Sequence, residues 1–315
     1  MTTEGEACPA CGAGLRGRYC HDCGQDTHAR PRPLREWAAE AFSETNLVDG
    51  RTARTLAALA TRPGRLLEAY RTGAGSRYQT PTKLFVVATA LFLLTLNFAD
   101  VQIYQYVGRV LDPASPVVST ADADGATVHL QNAVQGEVWM QRRVEPAIDP
   151  AITAAITASA ERAVTNKDRQ NLVYENQSNR EQGIISERLA SWLPNILWLL
   201  MPMYALLLAP FFRRRLLVEH LVFAMWAHVT AFVLLSLLAL VNKFGVGAPA
   251  WPVVVPYLAY FALAARRYYG VSMGQALWRG AAHLALYGGL VLFPAGLAVA
   301  ISVMDPEAFI AFINA

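Results

Sequence analysis

All four cysteines of the chain stand near its start, in two Cys-x-x-Cys pairs. Cys8 and Cys11 form the first pair, Cys20 and Cys23 form the second, and a glycine follows each pair. Such a turn brings two sulfurs to one face, and the glycine permits a positive φ that lets backbone amides point at the thiolates. Two turns of this kind predict a tetrahedral zinc site. Because four thiolates leave no open coordination position, the zinc is expected to be structural.

Three other interpretations of the cysteine pairs stay open. An iron centre can use the same four ligands, and a redox dithiol or a metal-free loop would need no ion at all. A segment this short cannot bury a core of its own, so ligation energy would have to replace one. His21 lies inside the second turn and is read as a surface residue, since the cysteines already complete the coordination shell.

The rest of the chain is too apolar for a water-soluble protein. Of 315 residues, 54% are hydrophobic and only 16% are charged. Uncharged runs approach the roughly 20 residues that span a bilayer core. We therefore expect an all-α polytopic membrane protein, with a zinc ribbon in residues 1–28. Its five expected spans are residues 81–99, 192–212, 220–242, 251–265 and 280–304.

The basic residues predict the orientation of these spans, because cytoplasmic loops carry an excess of Lys and Arg. Arginines are dense ahead of the first span. Further arginines lie between later spans, at 213–215, at 266–267 and at Arg279 on the edge of the fifth span, whereas loop 243–250 has only Lys243. This pattern predicts a multi-pass protein of the inner (plasma) membrane, with its N-terminus in the cytoplasm and its C-terminus outside. On the reducing cytoplasmic side, paired cysteines favour metal over disulfides.

Two segments flank the first span. Residues 29–80 contain short amphipathic helical patterns, one of them with Leu34, Trp37 and Phe42 on a single stripe. They are expected either to lie on anionic lipid or to pack on the cytoplasmic ends of the spans. Residues 100–191 are expected outside the membrane, partly helical, with a loop or weak hairpin before the helical part. The carboxylates of Asp122 and Asp124 there are read as solvated.

Ionisable side chains inside a membrane span are costly and therefore informative. Four of them could form an intramembrane polar cluster for protons, a metal or a lipid headgroup: Glu219, His220, His228 and His283. The alternative is that they make helix-packing hydrogen bonds. The chain has no phosphate loop, no nucleophile elbow and no His-Glu-x-x-His motif, so the sequence does not favour an enzyme.

Three stretches resemble a bacterial family of zinc-ribbon membrane proteins known only as domain of unknown function 3667. They are "CPACG…YCHDCGQ" at 8–25, "YRTGAGSRYQTPTKLFVV" at 70–87 and "EHLVFAMWAHVTAF" at 219–232. The resemblance implies that the four cysteines are the ribbon's ligands. It also implies that Gly75, Arg77, Tyr78 and Pro81 form the family's approach to its first membrane helix. The family implies an architecture but no activity.

Three functions are consistent with these features. The first is a membrane-anchored interaction or scaffold protein, whose ribbon docks a cytoplasmic protein partner. The second is a small transporter or lipid-handling protein that uses the polar residues of the third and fifth spans, and the third is a membrane enzyme built on Glu219 and the histidines. Membrane lipids are expected partners. Nucleic acid is not, because the ribbon's own charges are mixed and phosphate binding needs a denser basic face.

Overall fold

The structure of the protein is a computed structural model, which describes residues 7–8, 11–26, 50–62, 64–71, 78–121, 128–213 and 215–302. The chain is mostly helical. Its helices are α1 (Gly50–Thr61), α2 (Arg65–Arg71), α3 (Pro81–Ala99), α4 (Pro150–Arg162), α5 (Asn166–Leu208), α6 (Leu217–Lys243), α7 (Val254–Tyr269), α8 (Met273–Tyr287) and α9 (Phe293–Ile301). The strands are β1 (Val101–Val110), β2 (Val118–Ala121), β3 (Val128–Gln131) and β4 (Ala133–Arg142).

Within the described ranges, three helical stretches are long and apolar enough to cross a membrane. They are Pro81–Ala99, Leu217–Lys243 and Met273–Ile301, the last joining α8 and α9 through a π-helical turn. They fall on the first, third and fifth expected spans. Expected span 192–212 falls largely on the apolar end of the 43-residue helix α5, and span 251–265 on α7, which has 16 residues. At about 1.5 Å per residue, α7 alone is shorter than a bilayer core.

The expectation of an all-α fold is wrong for the segment that follows α3. Strands β1 and β4 pair antiparallel, from Val101 opposite Arg142 to Val110 opposite Ala133. Strands β2 and β3 form a second, shorter antiparallel pair, where a weak hairpin was one of the two expectations. The two long strands are rich in β-branched and aromatic residues, which favour a pleated conformation. Asp122 and Asp124 lie outside the described residues.

The chain divides into two compact units. The unit that includes residues 95–194 and 238–250 contains both strand pairs and helix α4. Its apolar core gathers residues of the strands and helices around Ile152 and Ile156, both fully buried. Asn242 holds the end of α6 in place in this unit. Its side-chain NH₂ group donates to the carbonyls of Met140 at 2.7 Å and Ala248 at 2.9 Å. Its side-chain oxygen accepts from the Ala248 N–H at 2.7 Å.

The unit that includes residues 195–237 and 251–292 also contains α1 and α2. These two short helices pack on α7: Leu66 and Leu67 are almost completely buried, and the Glu68 carboxylate pairs with Arg267 at 2.8 Å. The Tyr260 hydroxyl donates to the carbonyl of Leu59. The described part of residues 29–80 packs on helix α7, in agreement with the second of the two expectations for this segment. The stripe of Leu34, Trp37 and Phe42 lies outside the described residues.

Candidate metal centre

The four cysteine sulfurs are gathered into one small cluster. All four lie within 4.8 Å of one another. The sulfurs of Cys8 and Cys23 are 3.6 Å apart, and so are those of Cys11 and Cys20. In a tetrahedral site with zinc–sulfur bonds of ~2.3 Å, neighbouring sulfurs lie about 3.8 Å apart. The donor set and its spacing therefore fit one tetrahedral metal ion.

The cluster is built from two copies of the same turn. In the first, the Cys8 N–H donates to the Ala13 carbonyl at 2.7 Å, and the Gly12 N–H donates back to the Cys8 carbonyl at 2.8 Å. The second turn repeats both bonds at 2.8 and 2.9 Å, between Cys20, Gln25 and Gly24. Gly12 and Gly24 have φ of 83° and 71°, as the glycine after each pair predicts.

Backbone amides also point at the sulfurs. The Ala13 N–H donates to the Cys11 sulfur and lowers the pKa of that thiol, but burial and the other thiols outweigh it and raise the pKa to about 12. Burial is the largest effect on Cys23 and raises its pKa, against a lowering hydrogen bond from the Gln25 N–H. The metal-free thiols of Cys11 and Cys23 therefore hold their protons at neutral pH. A metal ion must displace these protons, so its affinity rises with pH.

Helix α2 packs against the cysteine cluster. Cys8 and Cys20 are nearly buried and cluster with Ala69 of α2, with Tyr78 packed against the same group. His21 is exposed. In the described parts of the chain, the cysteines are the only group of three or more His, Cys, Asp or Glu residues close enough to share a metal ion. The cysteine cluster thus contacts a helix that itself packs on α7.

Glu219 and His220 lie at the start of α6. The Glu219 carboxylate accepts from the Leu216 N–H at 2.9 Å and pairs with Arg215 at 3.4 Å. His220 hydrogen bonds through Nδ1 with the Tyr269 hydroxyl at 3.0 Å. These contacts cap the helix and tie it to the end of α7.

His228 and His283 lie elsewhere, on two sides of Tyr204. The Tyr204 ring is 5.0 Å from the His228 ring and 4.2 Å from the His283 ring, centroid to centroid. His228 Nδ1 bonds to the Ala224 carbonyl at 2.8 Å, and His283 Nε2 bonds to the Tyr204 carbonyl at 3.1 Å. The four predicted cluster residues therefore occupy two places, and two of the histidines use a ring nitrogen to bind a backbone carbonyl.

Sequence reasoning missed the tyrosines of this region. The hydroxyls of Tyr204 and Tyr257 are 2.7 Å apart, and the Tyr287 ring lies 5.1 Å from that of Tyr204. Tyrosines inside apolar runs are the signal that could have indicated them, since a buried hydroxyl needs a hydrogen-bonding partner.

Comparison with known proteins gives one partial match. A family model described as "Protein of unknown function (DUF3667)" matches residues 49–93. No curated protein and no solved structure matches the chain. The matched residues cover α1, α2 and most of α3, so this part of the chain resembles an uncharacterised domain family. The ribbon and residues 219–232 lie outside the matched range.

Proposed function

We propose that the chain is a membrane-anchored interaction or scaffold protein, in which a structural zinc ribbon in the cytoplasm docks a protein partner. The observation that carries this proposal is the packing of the cysteine cluster against Ala69 of α2. Because the ribbon packs against a helix, its outer face keeps one orientation relative to that helix, which a flexible linker alone would not provide. That face includes exposed Tyr19 and His21.

Zinc is the proposed ion because it suits four thiolates in a tetrahedral arrangement and because the ion itself has no redox chemistry, which fits a structural role. Cys8, Cys11, Cys20 and Cys23 would hold it. When bound, the ion supplies folding energy to the ribbon. The residues around it exclude water from Cys8 and Cys20 and direct two amides at the sulfurs.

The membrane part is proposed to cross a bacterial inner membrane five times. Three long apolar helices account for three crossings. The apolar end of α5, from about Leu199 to Leu208, and α7 with its preceding 3₁₀ turn would make the other two. The arginines ahead of the first span and those at 213–215, 266–267 and 279 then lie on the cytoplasmic side with the ribbon. The C-terminus and residues 100–191 lie outside, and a segment as long as 100–191 can be translocated despite its eight basic residues.

The alternative, a small transporter or lipid-handling protein, would act through His228 and His283. Both imidazoles are tied to backbone carbonyls and packed against aromatic rings, and these contacts favour a role in helix packing. The two proposals differ in which residues are needed for function. The ribbon matters in the first, and the histidines matter in the second.

Crosslinking and affinity purification from native membranes should separate them. The parent chain is expected to capture a cytoplasmic protein, and Cys20→Ser is expected to lose it, because the partner needs the folded ribbon. His228→Ala, which leaves the ribbon untouched, should capture the same protein in the same amount. Retention of the partner by Cys20→Ser with loss in His228→Ala would refute the scaffold proposal.

A further inference from the structure

Arg279, on α8, has its guanidinium placed against two aromatic rings. The guanidinium carbon lies 5.5 Å from the ring centre of Phe212 and 5.7 Å from that of Trp278. The side chain is half-buried. No carboxylate pairs with it among the described residues, whereas Arg215 and Arg267 in the same unit are each paired with a glutamate. A partly desolvated cation without a counterion favours an external anion.

The two rings beside Arg279 each pack against another aromatic ring. Phe212 is buried and stacks on Tyr269, with ring centres 3.9 Å apart and planes within 12° of parallel. The rings of Trp278 and Phe211 form an edge-to-face pair, with ring centres 6.2 Å apart and planes at 74°. The two ring contacts restrict the guanidinium before a ligand binds, and its planar set of N–H donors matches two phosphate oxygens at once.

The position of the clamp indicates where the anion comes from. Arg279 lies in the first half of the long apolar stretch Met273–Ile301, and Trp278 beside it is 55% exposed. Tryptophan at such a position marks the headgroup level of a membrane. Arg213, next to Phe212 in the chain, is exposed and adds positive charge to the same edge.

We infer that Arg279, clamped by Phe212 and Trp278, binds the phosphate of an anionic phospholipid headgroup at the cytoplasmic face. This inference rests on the membrane orientation given under the proposed function. It goes further, because it assigns one residue and one class of lipid to a local site. A free phosphate ion carries the same chemistry, so the experiment has to separate the two sources.

The test uses the full chain in detergent and follows its thermal unfolding midpoint during titration. Phosphatidylglycerol is expected to raise the midpoint in a saturable manner, and phosphatidylcholine is not. Arg279→Gln should weaken the apparent affinity for phosphatidylglycerol in this titration about tenfold or more, since charge-assisted hydrogen bonds are lost. Arg279→Lys keeps the charge but not the planar donor set. Its apparent affinity for phosphatidylglycerol should lie between that of the parent and that of Arg279→Gln. Arg266→Gln, which removes an exposed arginine of α7 with the same charge change, is the matched control and should resemble the parent.

Two results would overturn the inference. An undiminished phosphatidylglycerol effect in Arg279→Gln would show that the clamp is not the site. An equal midpoint shift with inorganic phosphate or glycerol phosphate at the same concentration would assign the site to a soluble anion. Recovery of the chain in the membrane fraction is scored separately, so failure of the lipid site is distinguishable from failure of the proposed membrane anchoring.

Discussion

Replacing Cys20 by serine is expected to remove the metal from the ribbon and to make residues 7–26 sensitive to protease. Metal ligation can contribute about 10–16 kcal/mol to a small thiolate module at neutral pH. Among the described residues, the apolar cluster of the ribbon is the small one that its cysteines form with α2. Cys20 is also 2% exposed and packs with Ala69, so the change loosens the contact with α2. Elemental analysis should find about one zinc per chain in the parent, as one tetrahedral site requires, and almost none in the variant.

His21→Ala provides the matched control, because His21 lies in the same turn but is exposed. It should keep the metal and the protease resistance of the parent. The helical content in detergent should hardly change in either variant, since the apolar helices need no metal. Parent-level zinc in Cys20→Ser, or a parent chain that binds no metal under reducing and chelator-free conditions, would contradict the metal centre.

Gly64→Ala is expected to detach α1 and α2 from α7. Gly64 has φ of 80°, and an added Cβ would lie 3.0 Å from Cβ of Arg267 and 3.2 Å from both Cα and the carbonyl oxygen of Ala264. The left-handed conformation costs a non-glycine residue about 1–2 kcal/mol, and the contact with the α7 backbone adds about 1–3 kcal/mol of overpacking. The thermal unfolding midpoint should fall, and limited proteolysis should cut near α1 and α2.

Gly270→Ala separates the two causes of this loss. Gly270 has φ of 68°, but a Cβ there would meet no atom within 4 Å. The control therefore carries the conformational cost without the contact, and its destabilisation should be clearly smaller. Equal losses in the two variants would mean that α2 does not rest on α7 through Gly64.

The sequence predicted best the features whose determinants are close together in the chain. The metal cluster depends on two five-residue turns, and each turn encodes its own glycine and ligands. The first expected span, 81–99, coincides with α3, and the third lies within α6, because an uncharged run of sufficient length is a local property.

Other features depend on contacts between distant segments, which the spacing of residues along the sequence does not indicate. Strands β1 and β4 pair across an intervening hairpin, so neither strand shows its partner in its own residues. The packing of the cysteine cluster against Ala69 and the separation of His228 and His283 from His220 likewise depend on how distant helices pack. Arg279 appeared in the sequence only as a basic residue at the edge of a span, since its ring partner Phe212 belongs to another segment.

The proposed function requires the ribbon to lie on the cytoplasmic side of the membrane, and labelling of single cysteines tests this most directly. Single cysteines at Val164, 97% exposed in the segment expected outside, and at Leu216, 63% exposed in a loop expected inside, would be placed in a chain without the native four. We predict that an impermeant thiol reagent labels position 164 in intact cells, and position 216 only after the membrane is opened. Labelling of position 216 but not 164 in intact cells would place the ribbon outside and contradict the proposed function.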